Sequence, residues 1–255
     1  MALRRAVLSL EGNIGSGKST LLRLLRDKGR LQTIDEPVAR WQSVTAPEDG
    51  PSESGTNLLE LFYNDPKRWA FTFQTYAFLS RAQGAVENLE RQSYPGDVPS
   101  NAAVVLERSL ASDKHIFATN CLRTGLFTKG EWAVYSNYHD WTTKMHPGVH
   151  VDGFVYMRTQ PSTCLDRCAR RSRDEESSLG LDYLGQIHAL HEDWLLHPPG
   201  DSRGLDLTRC RTKLGDPVLV VDCDIEFKSS SERSSAVVQA VRAFADEVNA
   251  LNHAS

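Results

Sequence analysis

EGNIGSGKST, residues 11–20, stands directly behind the apolar run AVLSL, residues 6–10. Three glycines are followed by a lysine and two hydroxyl residues. Glycines let a backbone turn its N–H groups inward, around an anion, with no side chain in the way. Gly12-x-x-x-x-Gly17-Lys18-Ser19 fits the Walker A pattern letter for letter, and it sits after an expected strand and before an expected helix. A helix opening near Lys18 adds its positive N-terminal end. Gly12, Asn13, Ile14, Gly15, Ser16, Gly17, Lys18, Ser19 and Thr20 are therefore expected to cradle the phosphates of a nucleoside triphosphate. Lys18 would reach the outer phosphates, and the Ser19 hydroxyl would join a Mg²⁺ shell. The competing reading is a glycine-rich turn with an incidental lysine. Full spacing in the required context favours the cradle.

The cradle alone does not separate GTPases, ATPases and small-molecule kinases. Composition narrows the field. The 255 residues suit one large α/β domain, and 40% hydrophobic with 24% charged residues is ordinary globular composition. Lys plus Arg number 29 against 33 Asp plus Glu, a net charge of −4. That balance argues against nucleic acid as a partner. The five cysteines contain no CxxC pair, so neither a zinc ribbon nor a disulfide framework is indicated. No apolar run reaches membrane-spanning length, so no membrane association is expected. The start, MALRRAVLSL, runs almost at once into the first strand, from which a cytoplasmic location is expected, with a mitochondrial or nuclear one the alternative if a leader was removed.

Runs 6–10, 102–106, 153–157 and 217–222 read as strands buried on both faces, with LQTI (31–34) a weaker fifth. Helical patterns lie between them at 19–28, 66–91, 130–145, 162–171, 179–196 and 231–250. The alternation predicts one α/β domain over residues 1–255 with a five-stranded parallel sheet flanked by helices. Residues 45–55, 92–101 and 197–204 collect loop residues and read as surface connections.

Four more stretches arrive in order: DEPVARW (35–41), RWAFTFQTYAFLSR (68–81), LERSLASDKHIF (106–117) and LDRCARRSRDEES (165–177). Together with EGNIGSGKST, they resemble the deoxyribonucleoside kinase family, closest to its deoxycytidine and deoxyguanosine kinase branch. The resemblance implies a P-loop nucleoside-kinase fold with a lid at about 165–178. It also implies transfer of the ATP γ-phosphoryl to the 5′-hydroxyl of a deoxyribonucleoside, with Mg²⁺. By this likeness Glu36 is the general base, Glu107 helps hold Mg²⁺, and Arg108 stabilises transition-state charge beside Lys18. Arg167, Arg171 and Arg173 fall in the lid, where closing over ATP would exclude water. Glu226 and Phe227 lie in the stretch expected to contact the donor base. Ile225 stands there where an acid is common in the family, which leaves the choice between ATP and other triphosphates open.

For the acceptor, Trp41, Phe73 and Phe117 match family positions that wall the base. The Gln74 amide offers a donor and an acceptor edge to it. Tyr63 and Glu176 match the residues that hold the sugar 3′-hydroxyl. Arg81 and Asp113 match a pair that in the cytidine and purine branch sits beside the base, arguing for deoxycytidine, deoxyadenosine or deoxyguanosine over thymidine. A purely structural salt bridge is the alternative there. Ala111 and Lys114 depart from the tyrosine and arginine of that branch, and Ala77, which resembles the deoxycytidine enzyme, does not by itself separate the three nucleosides. The likeness further implies a homodimer formed through long helices, and inhibition by an end-product triphosphate. Two rival readings remain: a relative that binds nucleotides without turnover, and a nucleoside monophosphate kinase. Retention of Lys18, Glu36 and Arg108 weighs against the first, and DEPVARW with the Gln74 helix against the second.

Overall fold

The structure is a computed structural model that describes residues 5–46, 54–89, 102–171, 179–197, 205–224, 226 and 230–254. Its strands are β1 (Val7–Glu11), β2 (Gln32–Ile34), β3 (Val104–Glu107), β4 (Gly153–Arg158), β5 (Thr208–Arg211) and β6 (Pro217–Asp222). They form one sheet in the order β2-β3-β1-β4-β6-β5. The five expected strands are all present and mutually parallel. The expectation of five strands is corrected to six, because β5 pairs antiparallel to β6 and makes the sheet mixed. TRCR escaped notice for a physical reason. It is an edge strand whose residues alternate between half-buried and exposed, so it needs no apolar run.

The central strands split their side chains between two layers. Leu8, Leu10, Val105, Val155, Met157, Leu219 and Val221 face one cluster, with residues of α1 (Lys18–Asp27) and α10 (Ser231–Ala254). Val7, Val104, Leu106, Phe154, Tyr156, Val218 and Val220 face the other, with Leu195 from α9 (Leu181–Leu195). This period-two division, with both faces covered, is why β1, β3, β4 and β6 read as continuous apolar runs.

A third cluster is helical, and it flanks the β2 side of the sheet. Its members include Trp41 from α2 (Val38–Gln42), Leu58, Leu59 and Phe62 from α3 (Leu58–Asn64), and Phe73, Ala77 and Phe78 from α4 (Pro66–Leu89). A further helical run continues from α5 (Leu110–Ser112) through a π-helical turn (Asp113–Ala118) into α6 (Thr119–Arg123). It is followed by α7 (Lys129–Met145) and, after β4, by α8 (Pro161–Arg171). The pattern reading placed the long helices within a few residues of these bounds. It gave no helix to α2, α3 or the run from 110 to 123, because segments this short carry too few turns to show a period. Among the described residues, no helix is long and apolar enough to cross a membrane.

Candidate active site

The glycine loop joins β1 to α1. Gly12 has φ +149°, and a Cβ there would lie 2.7 Å from the Met157 carbonyl oxygen. Gly15 has φ +80°, and a Cβ there would meet Cys168 Sγ at 2.8 Å. Both positions exclude any other residue on backbone and steric grounds together. Lys18 is buried, and its Nζ donates to the carbonyls of Asn13 at 2.7 Å and Gly12 at 3.1 Å. Burial and the neighbouring Arg108 charge push the Lys18 pKa down, against the pull of Glu107 and Glu36, to about 8. Ile14, Gly15, Gly17, Lys18, Ser19 and Thr20 line a cavity of about 740 Å³. Gly12, Asn13 and Ser16 stand on the buried side of the loop instead; Asn13 Nδ2 donates to the Leu184 carbonyl at 2.8 Å.

Across the same cavity stand the residues that follow β2 and β3. Glu36 leaves the C-terminal end of β2, and Glu107 and Arg108 leave that of β3, the edge where parallel sheets present their chemistry. Arg81, from α4, ties them together. Its Nη2 donates to Glu36 at 3.0 Å, its Nε to Asp113 at 2.9 Å, and its Nη1 to the Glu107 carbonyl at 3.1 Å. Arg108 Nε lies 3.3 Å from the same Glu36 oxygen. Burial pushes the Glu36 carboxyl up, but Arg81, Arg108 and Lys18 outweigh it and hold it below the usual range. Glu107 goes the other way, raised by burial and by the Glu36 charge. Asp113 is also raised by burial, with Arg81 opposing. Burial works against the Arg81 charge, yet Asp113 and Glu36 overcome it and move its pKa up.

Arg108 adopts φ +65°, a left-handed conformation that costs a side-chain-bearing residue about 1–3 kcal/mol. Its guanidinium lies 4.7 Å from the Phe117 ring centroid. Its Nη1 is buried with no hydrogen-bond partner among the described residues. A strained backbone and a buried donor without a partner are both features that cluster at functional sites. The Ser19 hydroxyl donates to Glu107 Oε1 at 2.9 Å, so two oxygen donors meet at the start of α1. That pair has the hard-oxygen character that Mg²⁺ selects.

Trp41, Tyr63, Phe73, Gln74, Arg81, Asp113 and Phe117 all line the cavity. Phe73, Gln74, Ala77 and Arg81 share one face of α4. Phe73 stacks on Phe62 with centroids 4.8 Å apart and meets Trp41 edge-on at 5.6 Å. Trp69, Phe71 and Tyr76 pack against the helical cluster. The π-helical turn carries both Asp113 and Phe117, an irregularity often found at functional sites.

Arg167, Arg171 and Glu226, expected to contact the donor, also line the cavity. Arg167 Nη2 donates to the Cys223 carbonyl at 2.8 Å. Arg173, Glu176, Phe227 and residues 172–178 of the expected lid lie outside the described residues. Sequence reading missed several wall residues: Leu59, Phe62, Arg170 and Tyr183. They sit in short or surface-like helical segments, where nothing marks an aromatic or arginine as a wall. It also missed Glu11, the last residue of β1. Glu11 is wholly buried and accepts from the hydroxyls of Ser9 and, at 3.0 Å, Ser109. Burial pushes its carboxyl up, and the Arg108 charge leads the influences opposing that shift. A carboxylate inside a strand of apolar residues was the available signal.

The model of the deoxynucleoside kinase family matches residues 8–246. Deoxycytidine kinase of Rattus norvegicus is 36% identical over 245 residues, covering 93% of this chain and 90% of that protein. Deoxycytidine kinase 2 of Gallus gallus is 34% identical, covering 93% and 89%. The mitochondrial deoxyguanosine kinase of Xenopus laevis is 32% identical over 243 residues, covering 93% and 88%. A family match over nearly the whole chain coincides with a cavity that joins a glycine loop to a carboxylate–arginine cluster, and the chain belongs to the deoxynucleoside kinase family.

Proposed function

We propose that this chain transfers the γ-phosphoryl group of ATP to the 5′-hydroxyl of deoxycytidine, deoxyadenosine or deoxyguanosine. One observation carries the reading. The Glu36 carboxylate, gripped by Arg81 and Arg108, lines the same cavity as Lys18 and the glycine loop. A carboxylate at that place accepts a proton from a primary alcohol, and its charge repels the phosphate of a monophosphate acceptor. This favours a nucleoside over a nucleoside monophosphate.

The proposed mechanism assigns each group a task. Loop amides and the α1 N-terminus hold the triphosphate, and Lys18 exchanges its two carbonyl partners for phosphate oxygens. Ser19 and Glu107 would hold Mg²⁺, which when bound neutralises charge on the phosphate oxygens. Arg167, Arg171 and Arg173 close over the donor. Glu36 orients the 5′-hydroxyl and takes its proton. Its lowered pKa makes it a weak base, which suffices because a loose phosphoryl-transfer transition state demands little proton abstraction before bond cleavage. The Nη1 of Arg108, without a partner among the described residues, is a donor available to the charge that develops on the transferred group.

Trp41, Phe62, Phe73 and Phe117 enclose the base, Gln74 pairs with its edge, and Tyr63 with Glu176 holds the sugar. The Arg81–Asp113 pair fills the space a thymine methyl would need. The similar proteins named above are deoxycytidine and deoxyguanosine kinases, which agrees with that preference. We read residues 1–255 as one such domain.

A homodimer is also proposed. Val134, Tyr138, Trp141 and Met145 of α7 are all exposed and fall on one face at spacings of three and four. Leu79 of the adjoining α4 is exposed as well. An apolar stripe of this kind on a soluble surface marks an association site, and a second copy offers the same stripe in return.

Incubation with labelled ATP and each of the four deoxynucleosides and their monophosphates tests the reading. Product is expected with deoxycytidine or a purine deoxynucleoside. Turnover restricted to monophosphates, or none at all, would defeat it.

A further inference from the structure

The buried carboxylate of Glu11 has no place in the mechanism above, yet it touches the turn that carries Arg108. The chain leaves β3 through Arg108 in the left-handed region and enters α5 at Ser109. Such a conformation persists only where its surroundings over-determine it. On one side, Arg108 N donates to the Leu10 carbonyl at 3.1 Å, a β1 contact. On the other, Ser109 N donates to Ser112 Oγ at 2.8 Å, and the Ser109 hydroxyl donates to Glu11 Oε1 at 3.0 Å. The strained residue is thus pinned to the end of β1 from both sides.

A neutral acceptor would serve two hydroxyl donors equally well. The residue is instead a carboxylate with no exposure, and its Oε2 has no hydrogen-bond partner among the described residues. Burying such a group is costly without compensating charge. Arg108 is the leading positive charge acting on it.

We propose that Glu11 is a positioning residue for phosphoryl transfer: through the Ser109 hydroxyl and its own charge it fixes the Arg108 turn so that the guanidinium faces Glu36. The inference rests on the role given to Arg108 in the proposed function. Glu11 touches neither substrate; it acts through Arg108 alone.

The test is steady-state kinetics of Glu11→Gln and Ser109→Ala, each also in an Arg108→Ala background, with deoxycytidine and ATP. Displaced catalytic groups cost rate steeply, so kcat is expected to fall about 10- to 100-fold in the single variants. KM for both substrates is expected to stay within about twofold, because the role proposed for Arg108 is exerted in the transition state. In the Arg108→Ala background the further loss is expected to shrink below about threefold, the mark of groups acting as one unit. Should Glu11→Gln not fold, Ser109→Ala decides alone. An unchanged kcat, a rise in KM alone, or equal losses in both backgrounds overturns the proposal. Wild-type protein that turns over no deoxynucleoside, or a Glu36→Gln variant at full rate, strikes the reading of the site itself. Normal wild-type turnover with an unaffected Glu11→Gln kcat removes only the role of Glu11.

Discussion

The Arg81 guanidinium holds the Glu36 carboxylate at 3.0 Å while gripping Asp113 with its Nε at 2.9 Å. The group expected to discriminate bases is therefore also a support of the group expected to accept the proton. On the proposed assignment, specificity and rate are mechanically joined in this site.

Glu36→Gln keeps the side-chain shape and removes the proton acceptor. It also weakens the charge-assisted bonds from Arg81 and Arg108. A kcat loss of about 10²–10⁴-fold is expected, with nucleoside affinity largely retained. Rapid-quench measurement of a single turnover, beside equilibrium nucleoside binding, checks it. A rate near wild type would mean that Glu36 is not the base.

Arg81→Met combined with Asp113→Ala opens space beside the base and should move preference toward thymidine. Because Arg81 also supports Glu36, kcat should fall for every nucleoside at the same time. Competition assays with all four substrates separate the two effects, and an unchanged ranking would make the pair structural. Asp113→Ala alone leaves the buried Arg81 its bonds to Glu36 and the Glu107 carbonyl but orphans its Nε, a lesion expected to cost about 1–3 kcal/mol. Chemical denaturation of that variant reads the cost directly.

Lys18 loses its proton near pH 8 in the ligand-free protein. A bound triphosphate favours the protonated form, so donor binding takes up a proton above that pH. The KM for ATP should rise as pH passes 8, while the acceptor KM changes less. For stability the sign is the reverse of a paired lysine. Burying the charged form opposes folding below pH 8, and that penalty is relieved as pH rises from about 8 toward the ordinary lysine value. A pH-independent ATP KM from 7 to 9.5 would contradict the placement of Lys18 at the phosphates.

Ser19 and Glu107 supply the proposed Mg²⁺ contacts. Glu107→Gln should raise the Mg²⁺ concentration needed for half-maximal rate about 10- to 100-fold, by analogy with the loss of groups that support metal ligands. A Mg²⁺ titration at fixed ATP measures it, and chelation should abolish turnover in the wild type.

Trp141→Glu places a charge in the apolar stripe of α7, where Trp141 is 61% exposed. The folded chain should survive, because the side chain has little to lose in the protomer. Light scattering should then report a change from dimer to monomer. A wild-type protein that is monomeric at micromolar concentration rules out the proposed pairing.

Local chemistry made much of this molecule legible from its residues. The Walker A spacing announces a strand, a turn and a helix, because only glycines admit that path and only a helix start completes it. Continuous apolar runs announce strands covered on both faces. Those signals are short-range, so the five parallel strands, the long helices and the glycine loop could be read directly. Family likeness, not spacing, pointed to Glu36, Arg81, Arg108 and Asp113. Tertiary structure decided what no window of sequence contains: that β5 closes an edge of the sheet, that Phe62 and Tyr183 reach the cavity, and that Arg81 spans from Glu36 to Asp113. Glu11 and Ser109 stand 98 positions apart along the chain, and their contact exists only because β1 and β3 are neighbours in the sheet. Contacts of that kind depend on how strands are ordered and faces are packed, and those depend on the whole chain at once.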